Sequence, residues 1–189
     1  MAFLSQENLE QLGFKKLGVN VKISDKASIY NHDQIEVGDN SRIDDFCVVS
    51  GKIKIGRNVH FAVFCNVAGG ELGIEFSDFS GLAYGYHVFT QSDDYTGLSL
   101  TNPTIPDQYK KERKEKVKIG RHVIVGTMSI IFPGVEIADG CSVGAMTLVN
   151  RSTEPWGIYV GNPARRVKNR HQDLLKFEIE YVSKNDDSI

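Results

Sequence analysis

The stretch QSDDYTG (residues 91–97) sets two adjacent carboxylates, Asp93 and Asp94, beside Tyr95 in a polar segment. Paired carboxylates take part in proton transfer or cation binding, or they cap turns through local hydrogen bonds. Imidazole is the other candidate for acid–base work near neutral pH. His87 lies just before the acidic pair, in YGYHVF, and His60 ends the stretch IGRNVH, while His32, His122 and His171 read as ordinary surface residues. No two histidines lie within ten residues of each other and no CxxC occurs, so no metal site is expected. Cations cluster in KKERKEK (Lys110–Lys116) and again after GNPA, at Arg165, Arg166 and Lys168. The first run mixes signs and lacks aromatics, which suits a solvated arm.

The elements that must position these groups follow from a rhythm. From Val37 the chain reads VGDNSR, IDDFCV, VSGKIK, IGRNVH, FAVFCN, and from Ile119 it reads IGRHVI, VGTMSI, IFPGVE, IADGCS, VGAMTL. A large apolar residue heads every hexad, and Ile23, Ile29 and Ile35 keep the beat upstream with a two-residue slip before Val37. A period of six fits neither an α-helix nor a half-buried strand. It fits a coil that turns a corner every six residues, with three short strands to a rung. The next position is often Gly or Ala, where the corner leaves little room. Four residues after the head comes a second, smaller inward residue: Ser41, Cys47, Val59, Cys65, Ser129, Cys141 and Thr147. All three cysteines fall on that phase and read as buried core. The expected fold is mainly β, a parallel β-helix of hexapeptide repeats.

Terminal segments should cap the open rungs. Ser5 with Leu4, Leu9 and Leu12 predicts a short amphipathic helix in residues 1–18, and RHQDLLKFEIEYVS (170–183) predicts another within a C-terminal extension, 151–189. Rungs are expected over 19–89 and 117–150, all in a single domain. Residues 90–116 break the period, carry turn signals at Asn102-Pro103 and Pro106, and form an excursion loop of the length usually kept for function.

Composition narrows the class. The chain has 189 residues, net charge −2 and pI ≈ 6.2. No global basicity points to nucleic acid, no apolar run is long enough for a membrane span, and the N-terminus lacks a signal-peptide pattern. A cytoplasmic protein is expected.

At IGRHVIVGTMSIIFPGVEIADGCSVGAMTLVNRS…VGNPARRVKNR the sequence resembles the hexapeptide-repeat acyltransferases. It is similar above all to the sugar acetyltransferases of bacterial surface-polysaccharide synthesis and to the galactoside and maltose acetyltransferases. The resemblance implies a left-handed coil, a homotrimer, and acetyl-CoA bound in a groove between subunits. It implies that Thr127 and Ala145 leave room for the pantetheine arm and that Asn150 stands where relatives often carry Thr. Arg165, Arg166 and Lys168 match the cations that meet the coenzyme phosphates. In the family frame His60 touches the sugar acceptor; His87, just before the loop, is the rival base, and His87 and Tyr95 are expected to contact the acceptor.

The sequence departs from those relatives in the loop, where a catalytic histidine in a T-G-H-P context is replaced by Gln91-Ser92-Asp93-Asp94-Tyr95. A sugar hydroxyl needs a strong base, whereas an amine has a conjugate acid near ~8 and is served by a carboxylate or water. The expected reaction is therefore N-acetylation of a nucleotide-linked amino-deoxysugar for O-antigen or capsule, with His60, Asp93 and Asp94 as catalytic candidates. O-acetylation of a sugar hydroxyl or an antibiotic is the enzymatic alternative, and a non-catalytic structural β-helix the alternative of another class. Phe61, Phe64 and Tyr84, near the loop root, are expected to face outward onto neighbouring subunits.

Overall fold

Val37, Ile55, Phe76, Ile119 and Ile137 stack one above another because each heads a hexad and each rung repeats the last. The computed structural model describes residues 2–186 and shows a three-sided prism of parallel strands. The first sheet runs through Lys16–Leu17, Ile35–Val37, Ile53–Ile55, Ile74–Phe76, Val117–Ile119 and Glu136–Ile137. The second runs from Lys22–Ile23 through His60–Phe61, Gly81–Leu82 and Ile124–Val125 to Gly157–Val160, and the third from Ser28–Ile29 to Leu148–Val149. The hexad heads are the axial core, with Val37, Val49, Phe61, Val67, Ile119, Val125, Ile131 and Val149 fully buried. The smaller residues four positions on are buried too, and the three cysteines are free thiols within the prism.

Corners explain the small residue that often follows a head. A Cβ at Gly126 would sit 2.5 Å from the backbone nitrogen of Ala145 on the next rung, closer than any real contact. The two-residue slip before Val37 is taken up by a 3-10 turn, His32–Gln34.

Three expectations are corrected. Phe61 points inward, because its place at the head of a hexad decides its direction, whereas Phe64 and Tyr84 are exposed. His122 is buried, stacked on Phe79 at 5.2 Å and bonded to Glu178, because the C-terminal helix covers it. The coil also continues past residue 150: Gly157–Val160 adds a further parallel strand, and Arg165–Asn169 folds back antiparallel on it. The hexad beat is lost there, so the strand had only its β-branched and aromatic residues to announce it.

Helix α1 (Gln6–Gln11) begins at Ser5, whose hydroxyl accepts the Asn8 amide at 3.2 Å, and buries Leu9 against the first rungs. Helix α2 (Leu174–Asp186) lies against the second sheet. Glu178 there accepts from His122 at 2.7 Å and pairs with Arg121, and the Tyr181 hydroxyl reaches Asn58 at 3.0 Å. Burial, with Arg121 and Arg170 close by, holds His122 below its usual pKa, so it donates as a neutral ring.

The three faces differ in chemistry. Across the first sheet, register aligns Lys16, Glu36, Lys54, Glu75, Lys118 and Glu136, alternating in sign along the axis. Glu75 is bonded by Lys54 at 3.1 Å and Lys116 at 3.2 Å, and Glu136 by Lys118 at 3.0 Å. By contrast, the corner joining the second and third sheets exposes Phe46, Phe64, Tyr84, Met128 and Met146.

Candidate active site

The excursion loop is a built structure. It leaves the prism after the strand His87–Phe89 and is pinned at its root by Gln91–Ser92 pairing antiparallel with Arg113–Lys114. Asp94 organises the turn beyond. Its Oδ1 accepts from Thr96 N at 2.8 Å and Thr96 Oγ1 at 2.6 Å, and its Oδ2 from Leu98 N at 3.0 Å and Ser99 Oγ at 3.2 Å. Those donors, the Thr96 hydroxyl first, hold its carboxyl at a pKa of about 2. Asp93 accepts the amide of Asn102 at 3.2 Å. Asp93, Asp94 and Tyr95 share a cavity of about 390 Å³ with Lys111, Glu112 and Arg113, and Tyr95 is 90% exposed at its rim. The basic run is more ordered than a solvated arm: Lys110 is bonded by Asp107 at 3.0 Å and Glu112 at 3.2 Å, with only 8% of its side chain exposed.

His60 occupies a different cavity of the same chain. It stands outward on the second sheet, half-exposed, and its Nε2 is 2.9 Å from Asp44 Oδ2. Asp44 is buried and was missed in the sequence, because it lies one residue past a hexad head where a small residue is usual. Burial alone raises its pKa, but hydrogen bonds from Arg42 (2.5 Å) and His60 outweigh that and leave the carboxyl below its ordinary value. The structure thus pairs His60 with Asp44, and within one chain it does not bring His60 to Asp93 or Asp94. His87 stands outward on the third sheet, between Asn66 and Ile130 in register.

The residues matched to coenzyme contacts fall on the upper rungs. Thr127 and Ala145 stack on successive rungs at the apolar corner, where the Met146 amide bonds the Thr127 carbonyl at 2.8 Å. Asn150 is exposed just beyond the last strand of the third sheet. Arg165, Arg166 and Lys168 are exposed on the antiparallel strand closing the second sheet, so their charges are open to an anion. Among the described residues no cluster of His, Cys, Asp and Glu is arranged to hold a metal ion, and no helix is long and apolar enough to cross a membrane.

Small residues at one corner, exposed cations on the closing strand and an acidic loop at another corner are thus carried by separate parts of one hexapeptide prism. No profile of a known protein family matches the chain. It is 39% identical over 181 residues to the dTDP-4-amino-4,6-dideoxy-D-glucose acyltransferase of Escherichia coli, covering 94% of each protein. Its structure superposes with a TM-score of 0.96 on AntD, an N-acyltransferase from Bacillus cereus solved with dTDP and 3-hydroxybutyryl-CoA. The two are 46% identical, with 97% of this chain and 98% of the other covered. A maltose O-acetyltransferase from Clostridium difficile, 23% identical with a TM-score of 0.55 and covering 88% of this chain and 75% of its own, shares the fold. The chain belongs to the hexapeptide-repeat acyltransferases, with their left-handed parallel β-helix, and it is an acyltransferase.

Proposed function

We propose that the protein transfers an acetyl group from acetyl-CoA to the amino group of a nucleotide-linked amino-deoxysugar. The observation that carries this reading is the loop. Where hydroxyl-acetylating relatives place an imidazole, this chain places two carboxylates, and Asp94 is held ionised by four donors. A carboxylate with a pKa of about 2 is a poor proton acceptor and a good partner for an ammonium. Asp93 and Asp94 therefore hold the acceptor's ammonium, which loses its proton to water. The free amine attacks the thioester carbonyl, the C–N bond forms, the C–S bond breaks, and the nitrogen's second proton passes to the departing sulfur, so the coenzyme leaves as its thiol. Arg165, Arg166 and Lys168 bind the coenzyme phosphates, and Thr127, Ala145 and Asn150 flank the pantetheine arm; Tyr95 and His87 contact the acceptor. The nucleotide-sugar ligands of AntD and the name of the Escherichia coli relative support the acceptor class.

The same reading makes the active unit a homotrimer, working in the cytoplasm on sugars destined for O-antigen or capsule. Support for assembly comes from the apolar corner. Phe46, Phe64, Met128 and Met146 hold positive φ there and remain exposed, although Asn or Gly would suit that backbone better. At the corner between the first and second sheets, Asn20, Asn40 and Asn58 fill those positions on the lower rungs, and the bulky Phe79 and His122 above them are covered by α2. Bulky apolar side chains on a disfavoured backbone fit a surface covered by a neighbour.

Coenzyme A release from acetyl-CoA, followed with dTDP-4-amino-4,6-dideoxyglucose and with the corresponding 4-hydroxy sugar nucleotide, tests the proposal. Turnover confined to the amine is expected; turnover of the hydroxyl sugar alone overturns it in favour of O-acetylation.

A further inference from the structure

One inward column of the prism is not hydrocarbon. In the third sheet, register sets Val48 beside Asn66 and Asn66 beside His87, so the residues just before them, Cys47, Cys65 and Tyr86, stand one above another on successive rungs. All three are fully buried. The two cysteines are held alike. Cys47 Sγ donates to the Ala62 carbonyl at 3.0 Å and Cys65 Sγ to the Ala83 carbonyl at 3.2 Å, and each alanine follows one residue of the pair Phe61 and Leu82. Equivalent partners on successive rungs leave the two side chains one strand spacing apart, ~4.8 Å. The thiols also sense each other. Hydrogen bonding from Cys65 holds the Cys47 thiol below its usual pKa, and the same contact, with burial, pushes Cys65 up. Above them the Tyr86 hydroxyl is buried and finds no partner among the described residues, so a second polar group shares this part of the axis.

A disulfide joins residues whose Cα atoms lie roughly 4.4–6.8 Å apart, a range that neighbouring strands satisfy. Its Cβ atoms need to be within roughly 4.5 Å, so the two rungs must draw together there by ~0.3 Å. The third thiol lacks this opportunity. Cys141 is buried as deeply but stands in the second sheet, between Val123 and Gly157 in register, where it donates to the Glu154 carbonyl at 3.1 Å.

We propose that Cys47 and Cys65 are a redox-sensitive dithiol that hydrogen peroxide closes into a disulfide between adjacent rungs. The Cys47 sulfur attacks one oxygen of the peroxide, the O–O bond breaks, water leaves, and Cys47 becomes a sulfenic acid. Cys65 then attacks that sulfur, the S–S bond forms, the S–O bond breaks, and the hydroxyl departs with the Cys65 proton as a second water. Two thiols lose two protons and two electrons, and one peroxide becomes two waters. Each cysteine directly follows a corner residue, Phe46 or Phe64, so local opening of that corner admits an oxidant little larger than water. For the same reason the bond staples the two rungs that present the stacked Phe46 and Phe64. This device is separate from acyl transfer and does not depend on the acceptor.

Peptide mapping tests it. The reduced, folded protein is treated with hydrogen peroxide, its remaining thiols are alkylated, and it is digested without reductant. The expected result is a linked peptide pair joining Cys47 to Cys65, two hydrogens lighter than its separate parts and returned to free thiols by dithiothreitol, with Cys141 alkylated throughout. Cys141→Ser should bridge as readily as wild type, and Cys47→Ser and Cys65→Ser should each lose the linked pair. Three alkylatable thiols after peroxide overturn the proposal, as does a bridge that includes Cys141 or a sulfinic acid formed in place of the bond. A Cys47–Cys65 link that forms only in guanidinium also overturns it, because the unfolded chain and not the prism would then bring the sulfurs together.

Discussion

Asp94 shows how a side chain both builds a loop and keeps a charge. Four donors hold it ionised through the whole working range, with a pKa of about 2. The folded value lies below the ordinary ~3.9, so the stabilisation is present above that value and is lost as the pH falls through about 2. No acidic limb from Asp94 should therefore enter the pH–rate profile between pH 5 and 9. The profile should rise toward the acceptor ammonium's own pKa, near ~8 for a simple amine; a fall in kcat/KM set by a group near pH 4–5 would contradict a permanently ionised Asp94. Asp94→Asn should lower kcat/KM for the acceptor by ~10²-fold, the scale of a lost charged contact at the reacting group. Joint replacement of Arg165, Arg166 and Lys168 by Ala should raise the KM for acetyl-CoA far more than that of the acceptor; an unchanged donor KM would remove those cations from the site.

At the level of elements, the corners set what the prism tolerates. Gly126→Ala places a methyl against the Ala145 backbone, which cannot give way without moving a rung. Overpacking of that kind costs about 1–3 kcal/mol, so Tm should fall by several degrees. Gly81→Ala, one rung lower and on an open face, should leave Tm unchanged, and thermal melts of the two separate crowding from any general aversion to losing glycine. The clamp on α2 is equally local. Glu178→Ala leaves His122 buried without its carboxylate and frees Arg121, at a cost of about 2 kcal/mol given Arg121's partial exposure. Hydrogen exchange should show α2 losing protection first while the axial core keeps its own.

On the whole molecule, one face carries alternating charges and one corner is apolar. The alternating Lys–Glu ladder on the first sheet gains little from any single pair, so Lys54→Ala should change neither stability by more than about 0.5 kcal/mol nor assembly. Phe46 and Phe64, stacked at 5.1 Å on the exposed corner, are different. Phe64→Glu should shift a trimer to monomers in light scattering at micromolar concentration, with loss of turnover; a monomeric wild type would remove the intersubunit site.

The prism was legible in the chain because its signal is strictly local: each hexad head must point to the axis, and the corner after it is usually small. The burial of the three cysteines and the break at residue 90 follow from the same regularity, and the capping helix at Ser5 from its own N-cap and apolar spacing. What the chain could not reveal is what one rung does to another across the fold. The sequence offers Asp44 as a corner residue. Only stacking of strands 18 residues apart places it under His60, where Arg42 and burial hold it charged. His122 looked exposed because the residue that covers it, Glu178, comes 56 positions later on a helix whose docking depends on several distant contacts. Gly81 carried no message in its own hexad, since a glycine demanded by a corner and one that leaves a face open differ only in what stands across from them. Periodicity decides which way a side chain points; the tertiary structure decides what it meets.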